Sequence, residues 1–235
     1  KSSLCSSNGQ VILPSISNPP PHLLSLYSGG DPESNRFLTA IRMFNNLFAF
    51  VSTGADIDTT ANGRGPGAFR LHGELYHQIG SLLPGPMYPP KFAQVYVHDP
   101  DFDTQLNRRL SNVVHPGIKP SPKHDANIVQ KLQAIINTCN PYAKQFTSVG
   151  ERLRSSPTTT LHMSIIHNRA NNDRTYSLPT VNEIALIIPG PQPEPAAHDR
   201  DIIVQVRNNE ETPQFQRISA YHPSYWALAY PLLFP

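Results

Sequence analysis

The sequence predicts a strand-rich α+β fold with a helical insert, and three observations carry that expectation. Gly63 to Pro84, GRGPGAFRLHGELYHQIGSLLP, joins a glycine-led turn to residues that alternate between apolar and polar, the pattern of a half-exposed strand. Proline, at 25 of 235 residues, is about double its usual share and argues for short, bounded elements. Between Thr104 and Arg154 apolar residues recur instead at helical spacing. Strands this short are able to close into a small OB-like barrel.

Residues 1–30, with Pro14 and Pro19-Pro20-Pro21, read as an extended proline-rich lead-in, and residues 31–235 as the α+β module, its helical insert spanning 104–154. Asp31 is placed to cap a helix whose first position is Pro32, with Phe37, Ile41, Phe44 and Phe48 along one face. Ala49 to Thr53 reads as a strand and Gly54 to Gly67 as a loop. In the next strand Phe69, Leu71 and Leu75 alternate with Arg70, His72 and Glu74, and Phe92 to His98 reads as another strand. Leu106, Leu110 and Val113 mark a short helix. Ile128, Val129, Leu132, Ile135 and Ile136 mark a longer one capped by Asp125, and Asn140-Pro141 opens a third that carries Tyr142, Phe146, Val149 and Leu153. Leu161 to His167, Asp201 to Arg207 and Phe215 to Tyr221 have strand character. Thr180 to Glu183 forms a capping box for a short helix through Ile187.

A net charge of +2 gives no global field for nucleic acid, but the charge is uneven. Between Thr104 and Arg154 eight Lys or Arg face only Asp125 and Glu151. A solvated helical face is the ordinary explanation for such a run, and phosphate contact is the functional one. Cys5 and Cys139 are far apart and form no CxxC pair, so the expectation is no disulfide framework and a reducing compartment. No apolar run approaches the roughly 18 residues that a membrane helix needs. The chain opens at Lys1 and ends on the apolar run YPLLFP. It therefore reads as a piece of a longer protein, with Leu232, Leu233 and Phe234 covered by sequence that follows.

Several constellations invite enzymatic readings that their surroundings do not support. His72-Gly-Glu74 opens like a zinc deaminase signature, but no P-C-x-x-C completes it. His72 and His77 would lie on opposite sides of a strand, whereas H-E-x-x-H needs one helical face. Tyr221, Tyr225 and Tyr230 are spaced like paired nucleophiles, yet Pro223 and Pro231 interrupt any helix there; packing around Trp226 is the expectation. Gly63, Gly65 and Gly67 lead into a strand and not a helix N-terminus, so they have no basis for cradling phosphate. The expectation is a chain without catalytic residues, cofactor or metal. Arg70, His72 and Tyr76 on one side of the glycine-led strand remain. A cation beside an exposed ring is what single-stranded nucleic acid binding uses, although an ordinary solvated strand face looks the same.

Seven blocks in order add a further indication: IRMFNNLFAFVSTGADID, the Gly63–Pro84 run, PKFAQVYVHD, NPYAKQF, RTYSLPTVNEIALII, RDIIVQVR and HPSYWALAYPLLFP. Together they span nearly the whole chain. The series resembles the region immediately N-terminal to the helicase-like domain of Helitron rolling-circle transposases. The resemblance implies a nuclear parent protein with a single-strand endonuclease and a Pif-family helicase downstream, using ATP and a divalent metal. None of that family's catalytic motifs falls within these residues. It implies a non-catalytic module that packs on the nuclease and assists single-stranded or transposon-end DNA. The contact candidates are Arg70, His72 and Tyr76, with Arg108, Arg109, Lys119, Lys123 and Lys144 as phosphate partners. Zinc-knuckle cysteines often precede this region in such proteins, and Cys5 stands where the last of them would be.

Overall fold

The computed structural model describes residues 18–58, 70–85, 87–113, 117, 119–156, 161–165, 185–189, 202–205, 216–222 and 224–235. Within them the chain is α+β, and helices outweigh strands. The helices are α1 (Pro21–Ser28), α2 (Pro32–Thr39), α3 (Ile41–Phe48), α4 (Ala93–His98), α5 (Phe102–Ser111), α6 (Pro122–Cys139), α7 (Pro141–Ser155) and α8 (Tyr225–Ala229). The strands are β1 (Ser52–Asp58), β2 (Arg70–Ile79), β3 (Leu161–Ile165), β4 (Ala185–Pro189), β5 (Ile202–Gln205) and β6 (Gln216–Ile218). They pair as two antiparallel three-stranded sheets, β1-β2-β6 and β4-β3-β5. The described strands show no ladder joining one sheet to the other.

The expected extended lead-in ends earlier than residue 30. Its proline run supplies the start of α1, with Pro21 at the first helical position, where a missing N–H costs nothing. Leu23 and Leu26 of α1 are buried in the core. Asp31 caps α2, accepting from the N–H groups of Glu33 and Ser34 at 2.8 and 3.0 Å. The single expected helix from Asp31 to Phe48 is two, broken at Ala40, and Phe37, Phe44 and Phe48 are fully buried across the break. Ser34 is also buried and donates to the carbonyl of Leu26 at 2.6 Å, tying α1 to α2.

Residues 49–51 are buried and precede β1, so the strand begins later than its composition suggests. Phe50 stacks on Tyr96 at 4.8 Å and on Phe146 at 5.4 Å, which ties it to both α4 and α7. Phe92 to His98, which reads as a strand, is largely the helix α4. Ala93, Val95, Tyr96 and Val97 are all buried, so this apolar run is that of a short helix enclosed on most sides and not a strand. The expected helix through Ile187 is also overturned where it is described: Ala185–Pro189 is β4, paired with β3 from Ala185↔Ile165 to Pro189↔Leu161. There the β-branched Ile187 and Ile188 and a partner strand prevail over the capping signal.

Helices α5, α6 and α7, expected as an insert, contribute to the same core as α1 to α4. Ile128, Val129, Leu132 and Ile136 pack with Phe37, Phe44 and Phe146 in one cluster, which Met163, Ile165 and Val204 of the second sheet also join. Asp125 does not cap α6 as expected. It lies in the first turn, where it accepts from Arg36 Nε at 2.7 Å and Arg36 Nη2 at 2.9 Å, joining α6 to α2. Asn140 does cap α7, accepting from Ala143 N at 3.0 Å. The C-terminal segment is bonded into this body at four carbonyls. Phe50 N donates to Leu228, Asn45 Nδ2 to Ala229, Tyr27 Oη to Leu232 and Asn140 Nδ2 to Phe234.

Gly150 sets the approach of α7 to α4. A Cβ at that position would lie 2.2 Å from the Val97 carbonyl oxygen, a backbone atom with no freedom to yield. Gly150→Ala is therefore expected to cost about 1–3 kcal/mol, by forcing the two helices apart. Urea unfolding of the variant tests this, and an unchanged midpoint would mean that the helices are not in contact there.

Candidate nucleic-acid interface

The glycine-led strand is the middle strand of its sheet. Gly54 pairs with Tyr76 and Thr53 with His77, and the register then shifts before Asp56 meets His72. On the other side His77 pairs with Ile218 and Gln78 with Arg217. Residues 76 and 78 alternate with residues 77 and 79, and Ile79 and Ile218 are buried on the inner face. Tyr76 therefore belongs to the opposite face. Its ring fills the space that a side chain at Gly54 would need, since a Cβ there would sit 2.4 Å from Tyr76 Cε2. The Arg217 guanidinium lies 4.8 Å from the ring centroid.

Tyr76 is thus covered by glycine backbone on one strand and met by a cation from the next. An exposed cation–π contact of this kind contributes about 0.5–1 kcal/mol. An incoming base meets a guanidinium already held over the ring, and arginine planes stack on bases as rings do. Arg70 and His72 lie in β2 as expected, beyond the register shift from Tyr76, and their side chains fall outside the described residues.

The five cations expected as phosphate partners are not brought together. Arg109 is only 2% exposed and makes no surface contact. Its guanidinium carbon lies 4.5 Å from the Phe48 ring and 4.6 Å from the Tyr96 ring. Nε donates to Gln133 Oε1 at 3.2 Å, and Nη1 donates to the Leu47 carbonyl. A group so enclosed cannot serve as a surface phosphate contact, which corrects the expectation for this residue. The apolar markers Leu106 and Leu110 sit at the flank of α5, while Gln105 and Arg109, one turn apart, take its buried centre. Arg108 is engaged within the molecule, its Nε 3.1 Å from Asp99 Oδ2.

Lys119, just before α6, and Lys123, in its first turn, stand exposed, and Lys144 is exposed one turn into α7, beyond the far end of α6. An 18-residue helix is roughly 27 Å long, so the first two lysines and the third do not form one patch. Lys131 pairs with Glu33 at 2.7 Å. Arg217 is the cation that sequence reasoning missed. The strand signal at Phe215 to Tyr221 was legible, but the pairing that carries Arg217 to Tyr76 is non-local.

The inner side of the sheet is aromatic. His77 Nδ1 is 2.7 Å from Tyr225 Oη, and its ring meets Tyr225 and Tyr230 edge-on at 5.2 and 6.0 Å. Trp226 stacks on Tyr230 at 5.8 Å but remains exposed, so it caps this cluster from outside and does not anchor it from within. Tyr221 is almost fully exposed and far from the packing expected of it. Among the described residues no three His, Cys, Asp or Glu side chains are placed to hold a metal ion, and no helix is long and apolar enough to cross a membrane. No family model matches the chain, and comparison with curated proteins and with solved structures finds no match.

Burial lowers the pKa of His77 from its ordinary 6.5. The folded protein then binds this proton less tightly than the unfolded chain. The stability that depends on a neutral ring is present above about pH 6.5 and is lost as pH falls through that value. Guanidinium unfolding midpoints should therefore fall between about pH 7.5 and 5.5, and less steeply in His77→Gln. Equal pH dependence in the two proteins would refute this assignment.

Proposed function

We propose that the chain is a non-catalytic N-terminal module of a Helitron-like rolling-circle transposase-helicase that assists binding of single-stranded or transposon-end DNA. The observation that supports this reading best is Arg217 held over Tyr76 on the outer face of the β1-β2-β6 sheet. It combines the charge and the ring that strand binding uses. Exposed Lys119, Lys123 and Lys144 add separate phosphate contacts along the path of a strand. In this reading the module works in the nucleus beside the downstream nuclease and helicase of the same protein, which supply the metal and ATP chemistry.

Fluorescence anisotropy with a labelled single-stranded oligonucleotide at low salt tests the proposal. Arg217→Ala, a change at an exposed position, should weaken binding about tenfold, and loss of one phosphate contact should reduce the log–log salt slope by about 0.7. Absence of binding, or equal binding and slope in the variant, would overturn it.

A second reading, a structural scaffold without DNA contact, draws on exposed Trp226, Leu233 and Phe234 near the end of the chain. Leu232, expected to need a cover, is already buried at 2%. On this reading Leu233→Ser/Phe234→Ser raises solubility and leaves DNA binding absent in both proteins. Light scattering against concentration separates the two, and unchanged self-association would remove the scaffold reading.

A further inference from the structure

We infer that the cleft between α3, the start of β1 and the loop before α4 is a nucleotide pocket, taking one nucleoside monophosphate unit, free or within a strand. The inference rests on the nucleic-acid reading above but concerns different residues. The cleft measures about 1020 Å³, far more than a simple anion fills and large enough for a base, a sugar and a phosphate. Among the described residues two exposed cations, Arg42 and Lys91, and the buried Arg109 line it, and no carboxylate does. Arg42 and Lys91 are exposed, and neither side chain has an ion-pair partner among the described residues. A lining of one sign selects an anionic ligand and raises its local concentration.

Two further features belong to the same wall. Arg109 is buried, and its Nη2 is the one nitrogen of that guanidinium without a hydrogen-bond acceptor among the described residues. Phe92 lines the cleft with φ of 52°, a left-handed backbone that a bulky side chain rarely adopts. Strain of this kind persists where the surroundings over-determine it, and it clusters at ligand sites. Phe92 and Tyr230 supply ring surface for a base, Asn112 an amide, and Arg42 and Lys91 the charge for its phosphate.

Isothermal titration of the whole chain with dTMP, thymidine and inorganic phosphate tests the pocket. The expected result is binding of dTMP, with thymidine and phosphate each at least about tenfold weaker, and an Arg42→Ala/Lys91→Ala variant that loses about tenfold or more for dTMP without a change in melting temperature. Equal affinity for dTMP and inorganic phosphate would overturn the base contact and with it the proposal. So would equal dTMP affinity in the variant. Binding of an oligo-dT strand without binding of dTMP would overturn the pocket and leave the strand reading standing. Binding of dTMP without binding of the strand would support the pocket and sink the strand reading.

Discussion

The constraint on which the helical body depends is the burial of the Arg109 guanidinium. A charge removed from water is costly unless its surroundings replace what water supplied. Among the described residues no carboxylate forms an ion pair with it, and the replacement comes from the Phe48 and Tyr96 ring faces, the Leu47 carbonyl and the Gln133 amide. Those groups belong to α3, α4 and α6, while Arg109 itself belongs to α5. One planar cation therefore fixes four helices relative to each other. Burial lowers its pKa, yet a guanidinium stays protonated in proteins, so the charge is permanent. The flat, delocalised shape is required as well: a lysine ammonium could satisfy neither two ring faces nor the fork of acceptors at once.

The same enclosure affects its neighbours. Burial raises the pKa of Tyr96, so its hydroxyl remains a donor, and it bonds the Phe48 carbonyl at 2.9 Å. The ring that faces the cation is thus itself pinned to the helix whose last residue supplies the other ring. Arg36 and Asp125 make a second, more conventional clamp, a two-point ion pair between α2 and α6. Among the described residues the sheets join this core through Ile79 and Ile218 of one and Met163, Ile165 and Val204 of the other.

Local chemistry was legible in the sequence wherever it was self-contained. Asp31 and Asn140 cap the helices expected of them, and the stripe from Tyr142 to Val149 is buried, because capping and helical spacing involve residues a few positions apart. The failures are tertiary. The lead-in becomes α1 because Leu23 and Leu26 find a core, and 92–98 becomes a helix because neighbours enclose it on most sides. Arg109 sits in the core because aromatic and amide partners from three other helices receive it, which no local pattern announces. For the interface, β2 and Tyr76 could be read from alternation. Arg217 could not, since its place depends on a pairing between residues far apart in the chain.

Three C-terminal carbonyls, those of Leu228, Ala229 and Leu232, receive bonds from the N-terminal half, with a consequence for the order in which the protein can be made. Tyr27 and its acceptor at Leu232 are separated by 205 residues. At roughly 5–20 residues per second a ribosome needs about 10–40 s to span that interval. Throughout it, the buried faces of α1 and α3 lack the segment that completes them. Folding of the helical body therefore cannot finish vectorially from its N-terminus; its final closure is a late event, set by emergence of the α8 segment and not by the intrinsic speed of its helices.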